Sequence, residues 1–473
     1  MPGFEFNLEG HTLAAVHRDP ELRSRFESRL PAFLLQQRWF AGRAGGLQSA
    51  TIEHALPLDA AGSLVLFVVH TTDDAGLETR YQVPLQATGA DTVEDPLATE
   101  AAAQLRDILV QGRMVETEGV RLAATPIATG IACGGAPRLL SGEQSNTSVV
   151  FGRECILKFF RILQDGFNPD VQLVSWLSSQ GGFPGVPRVI ASARFQAPGL
   201  DADAAVLQEF LPNDGDGWTW TLAHARRAFA AVSDPGEMAG YLRKEAVTLS
   251  EAAAIGWLTA QLHAALARAT GPAMEPQPAT AADWQAWHAG LTSEARATAR
   301  MLKSGHPAAA ARIAALADSP VPPVPGELGL KMRIHGDYHL GQLLHTERGW
   351  VVLDFEGEPS RPIAERIALQ HPLVDVAGML RSWDYAARVA GEDSPAVPAW
   401  RETVSAAFLD ACWAGADGSP RPFLPAAPGD RDALLHHFLL RKALYEVRYE
   451  LGSRPAWVAT PLAAVVAMLD STT

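Results

Sequence analysis

The chain has 473 residues, enough for two to four domains or lobes, and its 47% hydrophobic content supplies a sizeable core and argues against global disorder. A formal net charge of −14 argues against a nucleic-acid surface, because phosphate backbones need a basic face. Three cysteines far apart (Cys133, Cys155 and Cys412), no secretory pattern and no apolar stretch of about 20 residues predict a soluble cytoplasmic protein, without a disulfide framework, zinc spacing or membrane attachment.

Residues 1 to 95 read as a first unit. Residues 21–35 carry apolar positions near helical spacing, and Arg38-Trp39-Phe40 reads as a buried aromatic anchor with a capping arginine. Apolar runs at 63–70 and 79–86, separated by Asp73-Asp74-Ala75-Gly76, form a hairpin-like pair. Asp95-Pro96 marks a boundary, followed by a helix over 97–110 and two short strands. Ser141 to Gly152, which includes Ser145, Asn146 and Thr147, then sets small polar residues between two strands. Such a turn lets backbone N–H groups approach phosphates; taken alone it is an ordinary polar hairpin.

Lys158 stands inside the apolar run Cys155-Ile156-Leu157-Lys158-Phe159-Phe160. Burying an ammonium is costly, so the lysine either sits on an edge strand facing water or meets the phosphates of ATP. The polar hairpin before it and the motifs after it favour the phosphate. Asn168-Pro169 starts a helix, with Asn168 as cap and Pro169 in the first turn. An acidic partner for the lysine is expected here; Gln172 occupies the position, with Asp170 nearby, and both stay open as partners. The apolar strand 206–212 ends in Pro212 and suits a hinge, where Gln208 and Glu209 offer backbone groups to adenine; 213–217 reads as a flexible continuation. Helices follow over 250–267, with His263 a core or boundary histidine, and over 283–316.

The densest chemistry lies in His335-Gly336-Asp337-Tyr338-His339-Leu340-Gly341-Gln342 and Val351-Val352-Leu353-Asp354-Phe355-Glu356-Gly357-Glu358. In protein-kinase-like phosphotransferases, one aspartate orients or deprotonates the acceptor hydroxyl, an amide five residues later binds a metal, and an aspartate after the next hairpin holds Mg²⁺. Asp337, Gln342 and Asp354 stand at that spacing, with Gln342 for the usual Asn and Asp-Phe-Glu for Asp-Phe-Gly. Mg²⁺ prefers carboxylate and amide oxygens, and the acceptor proton needs a nearby carboxylate. A helix begins near Pro372, where Asp375 is a candidate to hold the catalytic-loop backbone. The helix over 436–450 puts Glu446 with Glu450, and Tyr445 with Tyr449, on shared faces, either for a sugar or as a solvated face with a Glu446–Lys442 pair.

The chain resembles bacterial maltokinases, of the aminoglycoside-phosphotransferase-like branch of the protein-kinase-like fold. The likeness rests on Gln37-Arg38-Trp39-Phe40-Ala41-Gly42, Gly142 to Ser148, His335 to Gln342, Leu353 to Pro359, Asp375 to Tyr385 and Lys442 to Glu450, and covers nearly the whole chain. It implies an α+β bilobal fold with a cap subdomain (1–95), a nucleotide-binding lobe (96–211) and a helical C-terminal lobe (212–473). It also implies ATP- and Mg²⁺-dependent phosphorylation of maltose to maltose 1-phosphate. By motif, Asp337 is the base, Gln342 and Asp354 hold Mg²⁺, Lys158 meets the ATP phosphates and Ser145 to Thr147 cover them. His339, Glu356, Arg381, Trp383, Asp384, Tyr445, Glu446 and Glu450 are the candidate sugar contacts.

Trp383, where maltokinases are expected to carry Phe, suggests an acceptor pocket shortened for a monosaccharide. Actinobacterial glucosamine kinases share the scaffold, so glucosamine or an aminoglycoside is the competing acceptor. A pseudokinase-like binding module is the reading from another class, supported by the substituted helix position alone.

Overall fold

The computed structural model describes residues 3–43, 46–89, 91–99, 101–140, 146–271, 273–358, 361–415 and 421–470. The chain divides into two compact units: residues 1–180 with 187–212, and residues 181–186 with 213–473.

The first unit holds two antiparallel sheets. Five strands pair in the spatial order Phe4–Glu5, Thr92–Glu94, Glu78–Ala87, Leu64–Thr72, Ser49–Pro57. The expected hairpin is its centre, and Ser49–Pro57, which the sequence reading left unassigned, adds a third long strand. The run from Leu64 to Val69 explains the layering. Side chains alternate across a strand, so Val65, Phe67 and Val69 enter one core with Phe26, Phe33 and Trp39. Leu64, Leu66 and Val68 enter the other, shared with the seven-stranded sheet. A strand buried on both faces reads as one continuous apolar run. The single helix expected over 21–35 is two, Pro20–Glu27 and Leu30–Gln36. Pro31 has no N–H to continue the ladder and its ring would clash with the carbonyl one turn back.

The seven strands run Met114–Thr117, Val120–Pro126, Val189–Ala197, Leu200–Glu209, Cys155–Phe160, Asn146–Phe151, Pro137–Leu139. Lys158 therefore lies on an interior strand, opposite Ser148 on one side and Val206 on the other, and not on an edge. Trp39 and Phe40 are buried as expected, but the guanidinium over the Trp39 indole is that of Arg161, at 4.2 Å, while Arg38 is exposed. Arg161 also forms a fully buried ion pair with Asp95 at 2.5 Å and donates to Thr147 Oγ1 at 2.7 Å. Cys133 and Cys155 are paired as a disulfide, 22 residues apart, which corrects the expectation of unpaired cysteines. Cys155 begins the strand Cys155–Phe160 and Cys133 lies in the irregular segment before Pro137–Leu139, a proximity that sequence spacing does not report.

The second unit is mainly helical. Residues 213–216, expected to be a flexible continuation, form a strand that pairs with Leu343–Thr346, which in turn pairs with Gly349–Val352. Asp216 then caps the helix Gly217–Ala231 by accepting from Thr219 N. The helices Val247–Leu266, Ala281–Leu302, Leu373–Gly391 and Pro428–Ser453 carry the core. No helix among the described residues is long and apolar enough to cross a membrane.

Two consequences of this packing are measurable. Removing Asp95 leaves Arg161 charged and buried, so Asp95→Ala is expected to lose roughly 3–5 kcal/mol in urea unfolding; an unchanged midpoint would exclude the pair as a stabilising contact. His371 and His437 are buried in the helical unit, and burial pulls each down to about pH 3. Unfolded histidines protonate near pH 6.5, so below that pH the unfolded chain binds more protons than the fold, and stability falls as the pH drops toward 3. The loss is about 1.4 kcal/mol per pH unit for each histidine. His437→Phe is expected to make the pH dependence between 6 and 4 shallower by one such step, and an unaltered slope would show that His437 is not held neutral.

Candidate active site

In the second unit, residues 335–339 form an irregular loop that leads into the 3₁₀ turn Leu340–Gln342, and its backbone donors need acceptors. Asp375, buried in the first turn of the helix Leu373–Gly391, supplies them. Its Oδ2 accepts from His335 N at 3.0 Å and its Oδ1 from Gly336 N at 2.9 Å, while Oδ2 also meets His263 Nε2 at 3.0 Å. Burial alone would push this carboxyl up, but the His263 bond and charge and the Gly336 amide outweigh it and hold the group below its ordinary value. Asp375 thus does what the sequence suggested, and His263 is a core histidine with a defined task. Gly336 takes φ +84°, a conformation that favours glycine. Gly378 lets the helix approach, since a Cβ there would lie 2.6 Å from the Tyr338 carbonyl oxygen.

Each loop residue is then placed in turn. His335 Nε2 donates to Leu353 O at 2.9 Å, which leaves Nδ1 to accept from Asp337 N at 3.3 Å. Tyr338 is buried, with its hydroxyl 3.0 Å from Thr259 Oγ1, and Leu340 N donates to Ser382 Oγ at 3.1 Å. Leu353 N donates back to Gln342 O at 2.9 Å, so the two motif segments are stitched together. Asp354 follows with φ +63°. Its Oδ2 is 3.4 Å from Gln342 Nε2, and a Glu356 oxygen comes within 4.8 Å of an Asp354 oxygen. Turning the amide about its last bond presents oxygen in place of nitrogen. Gln342, Asp354 and Glu356 then offer only oxygen donors, a set that fits a hard divalent cation.

The Asp337 carboxylate faces two groups. Its Oδ1 is 3.4 Å from Lys442 Nζ and its Oδ2 is 3.9 Å from His339 Nε2. Lys442 also holds Glu358, which is shared with Arg361. The Lys442–Glu446 pair considered from sequence is replaced: Glu446 bonds Arg381 Nε at 2.8 Å. Arg381 also bonds Asp384 at 2.7 Å, and Asp384 further receives Arg388 at 3.2 Å. Glu450 is buried and accepts from the Tyr385 hydroxyl at 3.2 Å and from Arg454 at 2.8 Å. Trp383 is fully buried against Trp400, so it lies in the helical core and does not line an open acceptor surface. Tyr445 stacks on Tyr449, with Lys442 5.1 Å from its ring centroid. Of the sugar-contact candidates, His339 reaches Asp337, while Arg381, Asp384 and Glu446 form one buried charged cluster. Sequence reasoning missed the role of Glu358 and Lys442 beside Asp337. The doubled acid in Phe355-Glu356-Gly357-Glu358 was its only signal.

In the first unit, Lys158 Nζ bonds Asp170 Oδ2 at 3.1 Å, so Asp170, one of the two partners left open, meets the lysine. Asp170 lies in the first turn of Pro169–Ser178, capped by Asn168 as expected. Asn146 begins its strand opposite Phe160, and Thr147 is buried on Arg161. Gln208 pairs with Ile156, while Glu209 forms an ion pair with Arg188 at 3.0 Å. Ser145 lies outside the described residues.

The profile of the phosphotransferase enzyme family matches residues 137–418, and that of the maltokinase N-terminal cap domain matches residues 33–111. The chain is 30% identical to a glucosamine kinase of Streptacidiphilus jiangxiensis, over 85% of this chain and 88% of that one. It is 31% identical to a glucosamine kinase of Mycolicibacterium smegmatis, over 71% of this chain and 80% of that one. A solved glucosamine kinase in complex with glucosamine, ADP and inorganic phosphate matches with a TM-score of 0.64 at 26% identity, covering 93% of this chain and 97% of its own. The expected α+β protein-kinase-like fold with an N-terminal cap is met, and the motif spacing that suggested a kinase is that of an enzyme. By the span of the first profile, more than half of its length, the chain belongs to the phosphotransferase enzyme family.

Proposed function

We propose that the chain is an ATP- and Mg²⁺-dependent sugar kinase whose first acceptor is glucosamine, giving glucosamine 6-phosphate. The observation that carries the acceptor is the likeness, along most of the chain, to two relatives that are glucosamine kinases. Maltose, giving maltose 1-phosphate, is the second reading. It is favoured by the match to the maltokinase cap.

Asp337 takes the acceptor proton in this reading. Its backbone is fixed through His335, and the loop through Asp375, so the carboxylate is positioned before substrate arrives. Gln342 and Asp354 hold the cation, which when bound offsets charge on the nucleotide phosphates. Lys158, held by Asp170, meets those phosphates, and Asn146 and Thr147 belong to the hairpin that covers them.

The test is ADP release with Mg-ATP over glucosamine, maltose, glucose and kanamycin. Turnover with glucosamine is expected, and Asp337→Asn is expected to lower kcat by roughly 10²–10⁴ while ATP still binds. Turnover with maltose alone would transfer the assignment to the second reading. Absence of turnover with any acceptor would sink the sugar-kinase proposal.

A further inference from the structure

We infer that Lys442, clamped by Glu358, is the positioning residue of the catalytic carboxylate: it aims Asp337 at the acceptor hydroxyl and fixes a positive charge beside the transfer. The inference rests on the kinase reading above and deepens it.

Little else holds the Asp337 side chain. Its backbone N–H is bonded to His335, but the recorded partners of the carboxylate are Lys442 on Oδ1 and His339 on Oδ2. His339 Nδ1 accepts from Gly341 N at 3.0 Å, so a neutral ring presents Nε2–H toward Asp337. Burial lowers His339 from its ordinary value, against the pull of Asp337, and it therefore carries no permanent charge near neutral pH. The other residues from Tyr338 to Gln342 include no lysine or arginine. A fixed cation at this loop must come from elsewhere in the chain, and the helix Pro428–Ser453 delivers it.

Charge accounting separates this role from a merely structural one. Glu358 is buried and already has Arg361 as a cation. Arg361 is itself shared with Glu365, so Lys442 is the cation that serves Glu358 and Asp337 together. Burial alone would pull the ammonium down, but Glu358 and then Asp337 outweigh it and hold it above its ordinary range, so it stays charged. An ammonium has three donors; Glu358 and Asp337 account for two, and the Nζ lies 5.1 Å from the centroid of the Tyr445 ring.

The chemistry uses that charge without consuming it. The acceptor hydroxyl gives its proton to Asp337, and its oxygen forms a bond to the γ-phosphorus. The bond from the γ-phosphorus to the β,γ-bridging oxygen breaks, and ADP leaves with the electron pair. Lys442 transfers no proton. It keeps the carboxylate aimed and offsets negative charge on the transferring phosphoryl oxygens, where a preorganised donor has most effect.

The experiment compares Lys442→Met, Lys442→Gln, Lys442→Arg and Lys442→Ala with the parent and with Asp337→Asn. Lys442→Met and Lys442→Gln are expected to lower kcat by roughly 10²-fold, with the KM for ATP within about threefold and the melting temperature close to the parent's. Lys442→Arg is expected to restore part of kcat. Ethylammonium is expected to restore part of it to Lys442→Ala and none to Asp337→Asn. A kcat within about threefold of the parent in the Gln variant, or failure of both the Arg variant and ethylammonium to restore turnover, would overturn the inference. Parent turnover that Asp337→Asn abolishes leaves the kinase reading standing in either case, whereas a parent without turnover removes that reading itself.

Discussion

The Asp375 carboxylate is the constraint on which the second unit's chemistry depends. A loop that must present an aspartate cannot also satisfy its own backbone through a helix or a sheet. Unpaired buried amides are costly, so the donors need an acceptor from outside the loop. A neutral acceptor would meet one or two of them, whereas an ionised carboxylate accepts several bonds and makes each stronger. Asp375 accepts the amides of His335 and Gly336 and the imidazole of His263 together. The cost of burying its charge is offset by those bonds and by its place in the first turn of a helix, where the dipole favours an anion. The catalytic loop therefore inherits the rigidity of the helices Val247–Leu266 and Leu373–Gly391, to which His263 and Asp375 belong.

Around this anchor the helical unit places charges in shared sets. Glu358 takes Lys442 and Arg361; Asp384 takes Arg381, Arg388 and Arg401; Arg381 also takes Glu446. Breaking one partner of a lone buried pair is costly because the other remains charged, whereas in a shared set a second partner remains. Shared sets fix the geometry of several side chains at once, and they tie the helix Leu373–Gly391 to Pro428–Ser453 at the level of Asp337. This explains why Arg381, Asp384 and Glu446, which look like free polar groups on helix faces in the sequence, are occupied by one another in the fold.

What could be read from the sequence was local. The spacing of Asp337, Gln342 and Asp354 is set by one loop and one hairpin, and Asn168 with Pro169 by one helix start, so both were legible. The contacts that were not legible join distant segments. Lys442 is 105 residues from Asp337 and 84 from Glu358, and the Arg161–Asp95 pair spans 66. Glu446 looked like a partner for Lys442 because helical spacing puts them one turn apart. Arg381 from the neighbouring helix outcompetes that exposed-face pairing once both are buried. Trp383 was read as a pocket residue because the resemblance expects Phe there, yet its turn of the helix faces Trp400.

The Lys158–Asp170 pair shows how a departure from an expected pattern is absorbed. A partner further into the helix needs a longer side chain to reach the strand. Asp170 is one methylene shorter than a glutamate, so the helix must bring its N-terminal turn, not its middle, to Lys158. Pro169 makes that start sharp because it fixes φ and has no N–H to satisfy, and Asn168 accepts the Asp170 amide at 2.9 Å. The carboxylate then sits at the positive end of the helix dipole, which favours its ionised form. An interior strand can carry a charged lysine only if an anion of that kind is fixed beside it, and here the cap, the proline and the short acid together supply it.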